Sequence, residues 1–571
     1  MRTTNEPTYE KCLEPIESDT SDIPRTQPVV QVPERTLVTP SDYRLPEKFS
    51  EWRSGQHGII ESIRGNPKHI SMLSAPVGSG KSAIGVAAGF GKRTLYICTT
   101  KQLQDQLQND FPNAVVLKGR SNYKCLKGQN LTAEHCTRTL AKRNCKECKY
   151  SRCEGHTNSN YNGPCGCERE CEYLLTKQAA LRASLAILNI HLFMTEANMV
   201  GGFSGWPFVV VDEADTLENS MLSYIELVIT KANIDSLDLD PPKYKTKEES
   251  WIEWMHKEAI PKCEQTLDAI SGAWMPSSLK LETTLSRLLG KLKFAAREIP
   301  NSKWVFVAEE NRWSFKPVFV NKYAANNLWK HCNNALLMSA TLVNPDQFCR
   351  DVGLVKSDTS MFELPSSFPV ESRRVISRPA AYVTYKTFSK EFPKVVAAMD
   401  DVIEKYPDDK ILVHAVSYGN MKEILRLTRN RKRMLYHENS FTRDASLEQF
   451  KLAKYPAVMV SPSMDRGVDL PGNLCRVVIL VKVPYASLGD KQVAARVYGS
   501  ADGNEWYATN TIKSIVQATG RATRSEDDWS VTYILDGQFR KLYYAHAAAF
   551  PGWWREALVL NERDLEEDDE E

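Results

Sequence analysis

The stretch Ile70-Ser71-Met72-Leu73-Ser74-Ala75-Pro76-Val77-Gly78-Ser79-Gly80-Lys81-Ser82-Ala83-Ile84-Gly85-Val86-Ala87-Ala88 decides the fold. Ile70 to Ser74 is an apolar run with the length of a buried strand, and Ser82 to Ala88 is Ala-rich and helical. A glycine-rich loop carrying a lysine and a serine joins them. A strand that feeds a helix through such a loop turns backbone N–H groups around phosphate oxygens at the helix N-terminus. Ala75, Pro76, Val77, Gly78, Ser79, Gly80, Lys81 and Ser82 are therefore candidate nucleotide-binding residues, in a Walker A pattern with Ala75 where glycine is usual. Lys81 has the reach for β- and γ-phosphates, and Ser82 is a candidate Mg²⁺ ligand.

Outward from this loop, strand and helix alternate. Thr94 to Cys98 predicts a strand and Lys101 to Asn109 a polar helix, the pattern of a parallel sheet with covering helices. Tyr173 to Leu185 predicts a helix. Phe208 to Val211 predicts a fully buried strand, and it runs into Asp212-Glu213-Ala214-Asp215. An apolar strand ending in carboxylates is the Walker B arrangement: Asp212 is placed to hold Mg²⁺, and Glu213 to orient and deprotonate an attacking water. Residues 220–325 predict helices rich in Lys and Trp, and Ala335 to Met338 resumes the sheet.

A second alternating block covers about 376–560, with strands at Ile411 to His414, Ala457 to Val460, Val477 to Val481 and Val531 to Leu535. It holds Gln517-Ala518-Thr519-Gly520-Arg521-Ala522-Thr523-Arg524, in which Arg521 and Arg524 share one helix face. A guanidinium opposite a γ-phosphate neutralises charge in the transition state. Asp469, in the stretch Asp465 to Asp469, is placed to couple nucleotide state to the sheet.

The 571 residues, 42% hydrophobic and 25% charged, fit a soluble globular chain of several domains and exclude a mostly disordered one. No run approaches the ~18 apolar residues of a membrane span, and Met1 to Glu10 lacks the apolar core of a signal peptide. The net charge of +2 conceals an asymmetry: residues 1–40 carry −3 and residues 564–571 carry −7, which leaves +12 on residues 41–563. A basic body between acidic ends is compatible with a nucleic-acid partner. Eight of the 14 cysteines fall between Cys125 and Cys171, which reads as a metal or iron–sulfur site in a chain without a secretion signal.

From about Arg53 to Asp536 the chain resembles the superfamily 2 helicases, and within them the XPD/DinG-type iron–sulfur helicases. Phe49 to Gln56 is similar to the Q-type motif of that family, which implies an adenine contact for Gln56. Thr99 to Leu103 resembles motif Ia, Ser339 to Leu342 motif III, His414 to Tyr418 motif IV, Asp465 to Asp469 motif V and Gln517 to Arg524 motif VI. The family often closes its acidic box with His, where this chain has Asp215. The resemblance implies that Cys125 and Cys171 are the first and last ligands of a [4Fe–4S] cluster, which takes four thiolates. Cys136 and Cys165 are preferred for the two middle places, with Cys145, Cys148, Cys153 and Cys167 as alternates. The Cys-x₂-Cys pair at 145 and 148 also suits zinc, so a second metal stays open.

The fold expected is α/β: two RecA-like parallel-sheet lobes, with a Cys-rich iron–sulfur insertion and a helical arch insertion in the first lobe. Its parts are a disordered arm at 1–40, lobe 1 at 41–119, 176–222 and 326–375, the iron–sulfur domain at 120–175, the arch-like insertion at 223–325, lobe 2 at 376–560 and an acidic tail at 561–571. The resemblance implies an ATP- and Mg²⁺-dependent DNA helicase moving 5′→3′ on single-stranded DNA, with forked duplex as substrate; DNA repair, DNA replication and recombination stay open as its pathway. Alternatives are a DNA-stimulated translocase that remodels protein–DNA complexes and a nucleotide-gated DNA clamp. A monomer in the cytoplasm (the host cytoplasm for a viral gene), away from membranes, completes the expectation.

Overall fold

A computed structural model describes residues 38–99, 101–125, 130–135, 171–200, 202–270, 276–464, 470, 472–520 and 528–560. The expected arm at 1–40 and the tail at 561–571 therefore lie almost entirely outside the described residues, as do the six cysteines between Cys125 and Cys171.

Strands β1 (Ile70–Ser74), β2 (Thr94–Cys98), β3 (Val115–Leu117), β4 (Leu185–Asn189) and β5 (Phe208–Asp212) open the chain. Strands β6 (Leu227–Thr230), β7 (Trp304–Glu309) and β8 (Arg312–Pro317) follow, and then β9 (Ala335–Ser339) and β10 (Thr359–Glu363). The first sheet runs β10-β1-β9-β5-β2-β4-β3, with every pairing parallel. All residues of β1, β2, β5 and β9 are buried, because helices cover both faces. One face packs on Ile60, Ile63, Ile84 and Leu107, and the other on Tyr173, Leu217, Met221 and Phe348. The helix Lys81–Ala88 lies so close to the sheet that a Cβ on Gly85 would stand 2.9 Å from Met338 Cε and 3.0 Å from Val210 Cγ1.

The second sheet contains β11 (Val375–Ala381), β12 (Ile411–His414), β13 (Met434–Tyr436), β14 (Val458–Ser461), β15 (Val477–Leu480), β16 (Val531–Asp536) and β17 (Leu558–Val559). Its order is β13-β14-β12-β15-β16-β11-β17, again parallel throughout. Two parallel-sheet lobes of one type thus stand in one chain.

Residues 223–325 depart from the helical expectation. They carry the helices Glu248–Trp254, Ile260–Ile270 and Pro276–Glu298, but also the antiparallel sheet β6-β8-β7. Along β8, buried Trp313 and Phe315 alternate with Arg312, Ser314 and Lys316, a period-two pattern that the Lys and Trp content of the segment obscures. Trp251 and Trp254 are core residues whose indole N–H groups donate to Lys245 O (2.9 Å) and Asp240 O (2.8 Å), so they offer no face to a nucleic-acid base. The helix expected over Tyr173 to Leu185 spans Glu172–Arg182, and Leu185 opens β4. Arg433, in the basic run after the Tyr418–Leu427 helix, donates to the carbonyls of Ile403, Tyr406, Asp409 and Pro456 and braces the second lobe. Among the described residues no helix is long and apolar enough to cross a membrane.

Candidate nucleotide site between the two sheets

The strand order sets the site. β9 lies between β1 and β5, so its end at Ser339 stands between the glycine loop after β1 and the acidic box after β5. Ala75 N donates to Ser339 O at 3.1 Å. Gly78 and Gly80 adopt φ of 80° and 74°, the left-handed region that suits glycine. At Gly80 a Cβ would also stand 2.6 Å from Gln56 Nε2. Gln56 is buried; its Nε2 donates to Ser79 O at 2.7 Å and its Oε1 accepts from Arg53 N at 2.9 Å. Arg53 donates to Gly78 O, and Ser79 Oγ to Pro76 O at 2.7 Å. Lys81 Nζ folds into the loop and donates to Ala75 O (3.1 Å) and Pro76 O (2.9 Å).

Asp212 ends β5 and is 4% exposed. Tyr96, on neighbouring β2, donates its hydroxyl to Asp212 Oδ2 at 2.7 Å, and Glu213 N donates to Oδ1 at 2.9 Å. Burial pushes the Asp212 carboxyl above the ordinary aspartate range, against the pull of Lys81, Tyr96 and the Glu213 amide. Tyr96 is pushed well above its ordinary value, first by burial and then by Asp212, so its hydroxyl stays a donor. Glu213 has φ 53°, ψ 40°, a left-handed conformation that costs a non-glycine residue about 1–3 kcal/mol. Such strain points to a residue held for a task.

The second lobe reaches into this box. Gln517, near the end of the Gly503–Thr519 helix, donates to Asp215 Oδ2 at 2.9 Å and Thr341 Oγ1 at 3.0 Å. Ser339 Oγ donates to Asp215 Oδ1 at 2.6 Å and accepts from Thr341 N at 3.1 Å. Both oxygens of Asp215 are thus held, one from each lobe. The structure brings together Gln56, the 75–82 loop, Asp212, Glu213 and Gln517; Asp469, Arg521 and Arg524 lie outside the described residues.

Of the eight clustered cysteines, Cys125 and Cys171 are described, and both are half-buried. Their chain segments meet, since the rings of Tyr123 and Tyr173, two residues from each, make an edge contact at 5.4 Å. Lys177 Nζ and the Tyr173 hydroxyl donate to the fully buried Glu196, which fixes the helix that begins beyond Cys171 against lobe 1. Two half-exposed thiols at the converging ends of one segment fit the outer ligands of a cluster. Cys136, Cys145, Cys148, Cys153, Cys165 and Cys167 lie outside the described residues.

A groove of about 1160 Å³ opens at the carboxyl ends of β11, β12, β15 and β16. Tyr485 and Tyr507 stack in it at 5.4 Å, Lys482 and Lys541 line it, and Tyr385 at its rim is almost fully exposed. Val416, in the turn after β12, has φ 68°, an outlier for a β-branched residue. The sequence carried no signal for Tyr96, Tyr485 or Tyr507, whose partners lie well away along the chain.

Residues 399–557 match the family described as helicase C-terminal domain. The chain is 25% identical over 271 residues to the ATP-dependent DNA helicase DinG of Photobacterium profundum, across 43% of this chain and 38% of that protein. The aligned part therefore spans well under half of that relative. It is 21% identical over 570 residues to the ATP-dependent DNA helicase YoaA of Haemophilus influenzae, across 82% of this chain and 88% of that protein. Among solved structures, an XPD helicase shares the fold with a TM-score of 0.58 at 15% identity, over 88% of this chain and 96% of that one. The Xpd4 protein of S. tokodaii does so with 0.54 at 15% identity, over 89% and 100%. The chain thus carries a helicase C-terminal domain match over residues 399–557, is similar in sequence to the DinG and YoaA helicases, and shares the two-lobe fold of the XPD structures.

Proposed function

We propose that the chain is an ATP-dependent DNA helicase that moves along single-stranded DNA, 5′→3′, by hydrolysing ATP in the cleft between its lobes. One observation carries this most: Asp215 of the acidic box is held at once by Ser339 of lobe 1 and Gln517 of lobe 2, so chemistry at the box and lobe position are joined. Lys81 exchanges its two loop carbonyls for the β- and γ-phosphates of ATP. Ser82 and Asp212 are the residues that would hold Mg²⁺, which neutralises phosphate charge. Tyr96 keeps the Asp212 carboxylate oriented. Glu213 takes the proton of the attacking water, and Arg521 and Arg524 supply positive charge to the γ-phosphate from lobe 2. Gln56 braces the loop and contacts adenine; Asp469 transmits nucleotide state within lobe 2.

The lobe 2 groove, with its stacked tyrosines and two lysines, suits a single strand: bases stack on aromatic faces of any sequence and ammonium groups meet phosphates. Cys125 and Cys171, with two of the six thiols between them, would hold a [4Fe–4S] cluster, which cross-links that segment into a rigid unit beside lobe 1. Arg287 on the Pro276–Glu298 helix pairs with Glu134 at 2.5 Å, so the 223–325 insertion touches the same segment.

Lys81→Ala tests the site. Its melting temperature should match that of the wild type, while ATP hydrolysis stimulated by single-stranded DNA falls at least a hundredfold. Wild-type turnover in that variant would contradict the proposed chemistry.

A further inference from the structure

The helix that carries Gln517 is anchored at both ends. Its C-terminal end meets the acidic box through Gln517. Its N-terminal end is preceded by Asp502, and eleven residues before Gln517 the Trp506 indole donates to Glu218 of lobe 1 at 3.0 Å. Seventeen helical residues at ~1.5 Å each make a rod of about 25 Å. Arg496, on the preceding Lys491–Tyr498 helix, grips the far end. Its side chain is 3% exposed. One guanidinium nitrogen donates to Asp502 Oδ1 at 2.8 Å, and the other to Asp502 Oδ2 at 3.1 Å and to Asp351 Oδ1 of lobe 1 at 2.7 Å. Gln347 of lobe 1 donates to the same two carboxylates, at 2.8 and 2.9 Å. No residue of the glycine loop or acidic box belongs to this cluster, in which Arg496, Asp351 and Gln347 are buried and Asp502 is partly exposed.

We propose that Arg496 is a positioning residue for ATP hydrolysis: with Asp351 and Asp502 it forms a fixed pivot at the far end of the Gln517 helix. The lobes then rotate about this pole, and Gln517 swings on and off Asp215 at the other. A pivot must hold one geometry through the cycle, which the planar fork of arginine does and a lysine point charge does not. Two carboxylates from different lobes share one guanidinium, so neither lobe can slide along the other without leaving a buried charge unpaired. This inference rests on the proposed ATP-hydrolysing function, and it adds the part that keeps the second lobe in register.

Three variants test it: Arg496→Lys, Asp351→Asn and Gln347→Met, the last removing the Gln347 amide, with its bonds to Asp351, Asp502 and Arg350, and leaving the Arg496–Asp351 ion pair in place. Each is measured for melting temperature, affinity for a fluorescent ATP analogue, and kcat and KM with single-stranded DNA. The pivot predicts a kcat lowered about tenfold in the first two and about threefold in Gln347→Met, with nucleotide affinity within twofold of the wild type. The double variant Arg496→Lys/Asp351→Asn should fall no further than either single one, because both remove one device. Affinity falling in step with kcat, an unchanged kcat, or a double variant near a hundredfold would each overturn the pivot. If the charged variants do not fold, Gln347→Met decides alone, by the same split. A wild-type chain without DNA-stimulated hydrolysis would instead defeat the proposed function itself.

Discussion

At the scale of single residues, charge buried between the lobes has a consequence for pH. Glu218 follows the acidic box on the Leu217–Ile225 helix and is 7% exposed. It faces Asp351 on the Pro345–Val352 helix, Arg496 on the Lys491–Tyr498 helix, and Trp506 and Lys513 on the Gly503–Thr519 helix. Burial and then Asp351 push its carboxyl up to about 7, against Lys513, Trp506 and Arg496. The folded form therefore binds this proton more tightly than the unfolded chain, whose value is near the ordinary 4.5. Stability from this group is whole below about pH 4.5, declines as pH rises towards about 7, and is flat above. Glu218→Gln, neutral throughout, should lose less thermal stability than the wild type between about pH 5 and about pH 7. Equal slopes for the two proteins in a pH series of melting curves would refute this account of Glu218.

At the scale of elements, the segment from Cys125 to Cys171 carries the clearest composition signal. Protein purified without oxygen should hold about four irons per chain and no zinc, measured by metal analysis. Cys171→Ser should cut the iron content sharply, whereas a zinc-loaded, iron-free protein would contradict the ligand assignment. The elements that sequence alone made legible are the buried ones. β1, β2, β5, β9 and β12 are covered on both faces, so each reads as a mostly apolar run. Strands β10, with half-exposed Ser360 and exposed Met361, and β11, with Arg378 and Pro379 inside it, lack such runs. The β6-β8-β7 sheet was hidden because its apolar face alternates with Arg, Ser and Lys. At the site, the glycine loop, Asp212, Glu213 and Gln517 are legible because local spacing encodes their chemistry. Tyr96, Arg496 and Asp351 are not, because each gains meaning from a partner more than a hundred positions away.

At the scale of the molecule, two parallel sheets are held together by contacts that differ in kind along one strip. At one end the uncharged Gln517 amide hydrogen-bonds Asp215 of the acidic box; at the other, a buried ion pair ties Arg496 to Asp351. The first set is suited to breaking and re-forming with nucleotide, and the second to lasting. The basic body, +12 over residues 41–563, is suited to a polyanionic partner. The central claim is that hydrolysis between the lobes separates DNA strands, and strand release from a forked duplex tests it most directly. With ATP and Mg²⁺, the wild-type chain should release the strand of a fork bearing a 5′ single-stranded tail and leave a blunt duplex of the same sequence intact. Vigorous DNA-stimulated hydrolysis with no strand released from a 5′- or 3′-tailed fork would contradict the claim and identify a translocase that moves on DNA without unwinding it.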